Sequence, residues 1–88
     1  MAPFANKVTI YTTPICPYCR MAKQLLQRKG ASFEEIDVMG KPELRAQMQA
    51  KSGRNTVPQI WIGDRHVGGC DDLYDLEAEG GLDPLLAA

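Results

Sequence analysis

The chain has 88 residues, with 10 Lys and Arg, 11 Asp and Glu and one His, so its formal net charge is −1. This length predicts one domain over residues 1–88, and 44% hydrophobic with 24% charged residues is typical of a globular protein. The near-neutral charge without a basic block gives no support for a nucleic-acid partner. No apolar run is long enough to cross a membrane, and Met1 to Lys7 lack the apolar core of a secretory signal.

The three cysteines, Cys16, Cys19 and Cys70, are the most informative part of the composition. A secreted domain of this size that is held together by disulfides usually carries about four to eight cysteines. An odd count without a secretory signal favours a reducing compartment, and we expect the cytoplasm. In that setting cysteines do chemistry or bind metal.

Local patterns predict the first elements along the chain. Alternating β-branched and aromatic residues predict a strand over residues 8–12. A helix is predicted from Pro17 to about residue 29, because Pro suits the first helical position and Gly30 suits the end. The apolar face of this helix consists of Cys19, Ala22, Leu25 and Leu26. A second strand is predicted over residues 33–38.

The second half of the chain predicts a helix, a hairpin and a last helix. The helix runs from Pro42 to about residue 52 and ends before Gly53. Residues 59–62 and 65–67 are predicted strands joined by the tight turn Gly63-Asp64, which makes a β-hairpin. The last helix is predicted from Asp71 to about residue 79. The leucines at positions 82, 85 and 86 are expected to pack the tail back onto the domain.

The predicted order β-α-β-α-β-β-α indicates an α/β fold with a four-stranded mixed sheet. The first crossover joins parallel strands and is expected to be right-handed. The last two strands are antiparallel. One layer of helices cannot cover both faces of four strands, so the three helices are expected to lie on the two faces.

The segment Cys16-Pro17-Tyr18-Cys19 follows a predicted strand and opens a predicted helix. Unpaired N–H groups and the helix dipole favour a negative charge at this position, and the thiolate is the nucleophilic form of cysteine. Cys19 lies one turn deeper on the apolar face, where a thiolate is disfavoured. The motif therefore predicts an exposed nucleophile, Cys16, and a shielded resolving thiol, Cys19.

Three other interpretations of these cysteines stay open on the residues alone. Both can be inert core residues, although Cys16 precedes the helix and cannot share its buried stripe. Cys16, Cys19, His66 and Cys70 supply zinc-ligand types, but the two halves lie in different elements and Pro17-Tyr18 makes a stiff connection. An iron–sulfur cluster with partner thiolates is the third. We expect no bound metal.

The segment Thr56-Val57-Pro58 lies at the entry to a predicted strand, where a proline marks an edge or a bend. If the Val57-Pro58 bond is cis, the backbone of Val57 faces outward. Its N–H and C=O are then free to pair with an extended peptide. A plain trans turn proline is the alternative.

The segment Gly68-Gly69-Cys70-Asp71-Asp72 runs directly into the last predicted helix. Backbone N–H groups at a helix start hold a carboxylate, and Asp72 beside them can take an ammonium. An α-amino acid head carries both groups. In the alternative interpretation, Asp71 or Asp72 is only a helix cap.

Together these three segments resemble the glutaredoxins, thioredoxin-fold enzymes that use glutathione, and the resemblance extends over nearly the whole chain. It is nearest to the small bacterial dithiol type. The resemblance implies that Cys16 is the nucleophile and Cys19 the resolving thiol. It places glutathione against Tyr18, Arg45, Thr56, Val57, Pro58, Gly69, Cys70, Asp71 and Asp72. Thr13 is a departure, because many members carry Lys at this position.

The resemblance implies a glutathione-dependent thiol–disulfide oxidoreductase that reduces protein–glutathione mixed disulfides and protein disulfides. Glutathione is then the reductant and no cofactor is bound permanently. We expect a monomer, and the resemblance allows ribonucleotide reductase as an acceptor. The alternative is a homodimer that carries a glutathione-ligated [2Fe–2S] cluster, which Pro17 and Tyr18 disfavour by crowding the space. A thioredoxin that works without glutathione is disfavoured by residues 68–72.

Overall fold

The computed structural model describes residues 6–87. The prediction that the start of the chain lacks a secretory signal falls mostly on residues 1–5 and therefore lies outside the described part. The elements in chain order are β1 Val8–Thr12, α1 Pro17–Arg28, β2 Phe33–Asp37, α2 Pro42–Ser52, β3 Gln59–Ile62, β4 Arg65–Gly68, α3 Cys70–Ala78 and α4 Leu82–Ala87. The predicted order is confirmed as far as α3, and each predicted boundary lies within one residue of the observed one. No helix between residues 6 and 87 is long and apolar enough to cross a membrane.

The four strands form one mixed sheet in the order β2-β1-β3-β4. β1 is parallel to β2, with Val8 opposite Phe33, and antiparallel to β3, with Val8 opposite Ile62. β3 and β4 form the predicted antiparallel hairpin. With this topology, the end of β1, the start of β3 and the end of β4 lie at the same edge of the sheet.

Each face of the central strands carries its own apolar cluster, because successive side chains of a strand point to opposite faces. One cluster joins β1 and β3 to α1, α3 and α4 through Val8, Ile10, Ala22, Leu25, Leu26, Ala31, Ile60, Ile62, Cys70, Leu73, Leu82 and Leu86. The other lies beneath α2 and contains Tyr11, Val38, Met48 and Trp61. The prediction that the helices divide between the two faces is therefore confirmed.

The tail packs back as predicted, but it does so as a further helix, α4, which was not expected from the sequence. Leu82 and Leu86 of α4 are fully buried. Asn6 fixes α4 through two hydrogen bonds. Its Nδ2 donates to the Leu85 carbonyl at 2.7 Å, and its backbone N–H donates to the Leu86 carbonyl at 3.0 Å. Residues 6–87 therefore contain four helices, one more than predicted.

Candidate active site

Cys16 is the N-cap residue of α1 and lies in the loop that follows β1. Its Sγ accepts a hydrogen bond from the backbone N–H of Cys19 at 3.1 Å. That N–H belongs to the first turn of the helix, where backbone donors have no intrahelical acceptor. The sulfur therefore lies where the positive end of the helix stabilises a negative charge. The side chain is half-buried, so a substrate can reach it.

Cys19 faces the interior of the protein and is only 1% exposed. The pKa of this thiol is raised to about 12, mainly by burial and in smaller part by its interaction with Cys16, while the Thr13 backbone and Lys23 act in the opposite direction. Cys19 is therefore a neutral thiol near pH 7. The asymmetry between an accessible sulfur and a shielded one is what the predicted roles require, and the roles themselves stay a prediction.

The loop before β3 brings Val57 next to the nucleophile candidate. The Val57-Pro58 peptide bond is cis, so the alternative of a plain trans turn proline is wrong. The carbonyl oxygen of Val57 lies 3.8 Å from the Cys16 Sγ. The N–H of Val57 donates no hydrogen bond within residues 6–87. An extended ligand beside Cys16 can therefore pair with this backbone unit.

A cavity of about 230 Å³ opens at this edge of the sheet. It is lined by Tyr18, Arg54, Thr56, Val57, Pro58, Gly69, Cys70, Asp71 and Asp72. Eight of these nine residues were predicted to bind glutathione, and Arg54 was not. Cys16 does not line the cavity, but its contact with Val57 places the sulfur at the cavity's border.

The start of α3 forms one wall of the cavity. Its first intrahelical hydrogen bond runs from the N–H of Leu73 to the carbonyl of Gly69 at 3.0 Å. The N–H groups of Cys70, Asp71 and Asp72 therefore have no acceptor within the helix. Such a set of donors at a helix N-terminus favours an anionic group.

Asp72 is one of two carboxylates in this wall, and Asp71 is the other. Its Oδ2 accepts hydrogen bonds from Arg54 Nη1 at 2.8 Å and from the Gly69 N–H at 2.9 Å. The Arg54 guanidinium, and then the Gly69 N–H, hold the pKa of the Asp72 carboxyl below its usual range. Gly69 is the N-cap residue of α3, so neither Asp71 nor Asp72 is the cap that the alternative interpretation supposed. Asp72 supports the cap through its bond to the Gly69 N–H and is also a charged group of the cavity.

Cys70 lines the cavity but is only 5% exposed. Burial raises the pKa of this thiol, and the nearby charges of Asp71 and Cys16 add to the effect. The thiolate, which is the reactive form, is therefore disfavoured at Cys70 despite its place at a helix start.

The structure does not bring Arg45 to the cavity. Its guanidinium binds Asn55 instead, with Nε donating to Oδ1 and Nη2 donating to the carbonyl, both at 2.9 Å. Arg45 thus fixes the residue that precedes Thr56. Its direct contact with glutathione, which the resemblance implies, stays a prediction.

Gln59 and His66 support the cavity loop, although neither was predicted to bind glutathione and His66 was considered only as a zinc ligand. Gln59 is fully buried, and its Nε2 donates to the carbonyl and the Oγ1 of Thr56 at 3.0 and 3.1 Å. Its Oε1 lies 2.7 Å from the His66 Nε2, so this imidazole nitrogen is the donor. Burial, and then the charge of Arg54, lowers the pKa of His66.

The described residues do not bring the candidate zinc ligands Cys16, Cys19, His66 and Cys70 together. His66 contacts Gln59 and stacks on Trp61, with 4.7 Å between the ring centroids. Between residues 6 and 87, no group of three or more His, Cys, Asp or Glu side chains is placed to hold a metal ion.

Gly68 lets the chain pass close to Asp72 at the end of β4. Its φ is +120°, and a Cβ at this position would meet the Asp72 carboxylate. We expect Gly68→Ala to lower the free energy of unfolding by about 3 kcal/mol, through backbone strain and displacement of Asp72. Urea denaturation measures this loss.

Gly69→Ala is the matched control for this substitution. Gly69 has a φ of −91°, and an added Cβ would lie 3.5 Å from the Pro58 carbonyl, which is an ordinary contact. We expect a loss of about 1 kcal/mol or less, as for an unfavourable N-cap residue. Equal losses of stability for the two variants would contradict the explanation that backbone strain at Gly68 and displacement of Asp72 cause the larger loss.

The mixed sheet with helices on both faces, the dithiol at the start of α1 and the facing proline loop define a thiol–disulfide oxidoreductase of the thioredoxin-like fold. The family model described as glutaredoxin matches residues 8–67, which is more than half of the chain. The chain therefore belongs to the glutaredoxin family.

Individual relatives agree with this assignment. The chain is 67% identical over 81 residues to a glutaredoxin of Pseudomonas aeruginosa, with 92% of this chain and 96% of the relative covered. The solution structure of a glutaredoxin from Brucella melitensis matches with a TM-score of 0.84 and 65% identity, over 97% of this chain and 91% of that one. A crystal structure of a buckwheat glutaredoxin–glutathione complex has a TM-score of 0.86 and 28% identity, over 97% and 80%.

Proposed function

We propose that this protein uses glutathione to reduce protein–glutathione mixed disulfides and protein disulfides. The observation that carries the proposal is the cavity beside Cys16, which joins the unpaired N–H of Val57 to the free amides and the carboxylate at the start of α3. The buckwheat relative, whose structure is a complex with glutathione, supports glutathione as the ligand.

In the proposed complex the cysteinyl and γ-glutamyl residues of glutathione each lie against complementary groups of the cavity. The backbone of its cysteinyl residue pairs with Val57, which brings the glutathione sulfur toward Cys16. The carboxylate of the γ-glutamyl residue lies against the amides of Cys70 and Asp71, and its ammonium lies against Asp72. Tyr18, which is 59% exposed, flanks the ligand.

In the proposed reaction the Cys16 thiolate attacks the glutathione sulfur of a mixed disulfide. A bond forms between Cys16 and glutathione, the original S–S bond breaks, and the protein leaves as a thiolate that takes a proton from solvent. The thiolate of a second glutathione then attacks the glutathione sulfur bound to Cys16. This step yields glutathione disulfide and restores the Cys16 thiolate.

Protein disulfides follow a second route. Cys16 attacks one sulfur of the substrate, and the resulting mixed disulfide joins Cys16 to the substrate protein. Cys19 then loses its proton and attacks Cys16, which releases the reduced substrate and leaves a Cys16–Cys19 disulfide. Two glutathione molecules reduce that disulfide. Ribonucleotide reductase as the substrate and the monomeric state stay predictions.

The test compares two mixed disulfides of one peptide, the first with glutathione and the second with cysteinylglycine, which lacks the γ-glutamyl residue. We expect kcat/KM to be at least about tenfold higher for the glutathione substrate, because charged hydrogen bonds to the γ-glutamyl group are absent in the other. Equal values would contradict glutathione recognition. A brown protein with visible absorption after anaerobic purification would instead support the cluster-carrying dimer.

A further inference from the structure

We propose that Arg54 is a specificity-determining residue that binds the α-carboxylate of an α-amino acid head group while Asp72 binds its ammonium. The inference rests on the proposed function, in which this head group is the γ-glutamyl end of glutathione. The observation behind it is an ion pair in the cavity wall, between Arg54 Nη1 and Asp72 Oδ2 at 2.8 Å, with both residues lining the cavity.

The hydrogen bonds of Asp72 leave one of its oxygens for a ligand. Oδ2 accepts from both Arg54 and the Gly69 N–H, so its two lone pairs are used. Oδ1 accepts no hydrogen bond from the residues that the structure describes. An ammonium group can therefore bind Oδ1 without displacing Arg54.

Arg54 also keeps donors for a ligand. A guanidinium has five N–H donors in a planar fork, and the Asp72 contact uses one of them. The remaining side-chain donors of Arg54 have no partner between residues 6 and 87. The backbone of Arg54 is fixed by Ser52, whose Oγ accepts from the Arg54 N–H at 3.0 Å and donates to its carbonyl at 2.9 Å. The backbone from which the guanidinium extends is therefore fixed.

The charges of the pair complement those of a zwitterion. An α-amino acid head carries an ammonium and a carboxylate on one carbon, and Asp72 and Arg54 present the opposite charges side by side. The amides of Cys70 and Asp71 lie on the same wall and add donors for the carboxylate. A head group that lacks one charge leaves either Arg54 or Asp72 without a ligand group of opposite charge, and such a head group binds more weakly.

The ion pair also has an opposite interpretation, in which Arg54 occupies Asp72 and competes with the ammonium of the ligand. The two interpretations predict opposite signs. If Arg54 binds the carboxylate, its removal weakens glutathione binding. If Arg54 competes, its removal strengthens binding.

The experiment measures KM and kcat of the wild type, Arg54→Gln and Arg54→Lys with three mixed disulfides of one peptide. The first contains glutathione, the second contains 4-aminobutanoyl-cysteinylglycine, which lacks the α-carboxylate, and the third contains glutaryl-cysteinylglycine, which lacks the ammonium. Arg28→Gln is the matched control, since it removes the same charge at the far end of α1. Thermal unfolding of each variant verifies that it is folded.

We expect Arg54→Gln to raise KM for the glutathione substrate roughly tenfold, as for a lost charged hydrogen bond at a partly exposed site, and to leave kcat unchanged. KM for the aminobutanoyl substrate should not change, because the group that Arg54 binds is absent. Arg54→Lys should restore part of the affinity, since it keeps the charge without the planar fork. Arg28→Gln should match the wild type.

Other results would overturn the inference. If Arg54→Gln lowers KM for glutathione, Arg54 competes with the ligand. If it leaves KM unchanged while the wild type still prefers glutathione over both analogues, Arg54 has no part in recognition and the proposed function stands. If the wild type shows no preference among the three substrates, the proposed function and the inference are both wrong.

Discussion

Replacing Cys16 by Ser should abolish the reduction of both mixed disulfides and protein disulfides. Both proposed routes begin with attack by the Cys16 thiolate, and a serine hydroxyl is neither ionised at neutral pH nor able to form a disulfide. The expected loss of turnover is on the order of a thousandfold or more, as for removal of other catalytic nucleophiles. Turnover of a glutathione mixed disulfide, coupled to formation of glutathione disulfide, measures it.

Stability should not account for this loss. Ser is a favourable N-cap residue, and its hydroxyl can accept the Cys19 N–H that Cys16 Sγ accepts now. We therefore expect the free energy of unfolding of Cys16→Ser to equal or slightly exceed that of the wild type.

Alkylation by iodoacetamide gives an independent readout for the same variant. Cys19 and Cys70 are buried, and burial raises the pKa of both thiols. Rapid labelling at neutral pH should therefore disappear when Cys16 is replaced. A Cys16→Ser protein that still alkylates rapidly, or that keeps a tenth of its turnover, would contradict the assignment of the nucleophile.

The sequence predicted most of the fold because its local signals agree with the tertiary arrangement. Pro17 and Pro42 open the two helices whose starts they marked, and the Gly63-Asp64 turn connects the predicted hairpin. Apolar and polar residues do not alternate regularly along β2, because it is an edge strand in which Glu34 and Glu35 are both exposed.

Helix α4 could not be predicted from local signals. It has six residues and follows Gly80-Gly81, and an isolated helix of that length is unstable in water. Burial of Leu82 and Leu86 against the cluster of α1 and α3 stabilises it, and that burial is a tertiary effect.

The site was predictable where it lies in continuous segments of the chain. Residues 16–19, 56–58 and 68–72 each carry a recognisable pattern, and the sheet brings them to one edge. Arg54, Gln59 and His66 act through side chains that reach across elements, to Asp72, Thr56 and Gln59 respectively, and no local pattern reports such contacts. Arg45 is a residue that was predicted to bind glutathione but does not line the cavity, because its guanidinium binds Asn55.

Replacing Cys19 by Ser or Ala should separate the two proposed activities. Reduction of glutathione mixed disulfides needs only Cys16, and the bond from the Cys19 N–H to the Cys16 sulfur survives because its donor is backbone. We expect that activity to stay within about threefold of the wild type, since the contact that stabilises the thiolate is kept. Reduction of protein disulfides without glutathione should be lost.

The mixed disulfide between Cys16 and the substrate protein is the decisive observable for this variant. Without a resolving thiol it should accumulate, and intact-mass measurement under non-reducing conditions detects it. The Ala variant controls for the cost of burying a hydroxyl at a position that is 1% exposed. Equal loss of both activities in the Ser and Ala variants would contradict the division of roles.

The wild type adds a pH dependence that the Cys19 variants should lack. Burial, the largest cause that raises the pKa of Cys19 to about 12, persists when Cys16 is bound in a disulfide, although the interaction with a Cys16 thiolate does not. Little Cys19 thiolate is therefore present at neutral pH, and its fraction grows as pH rises. The release of reduced substrate protein in a single turnover should accelerate with pH up to at least pH 9. A rate that is independent of pH between 7 and 9 would show that Cys19 loses its proton by another route.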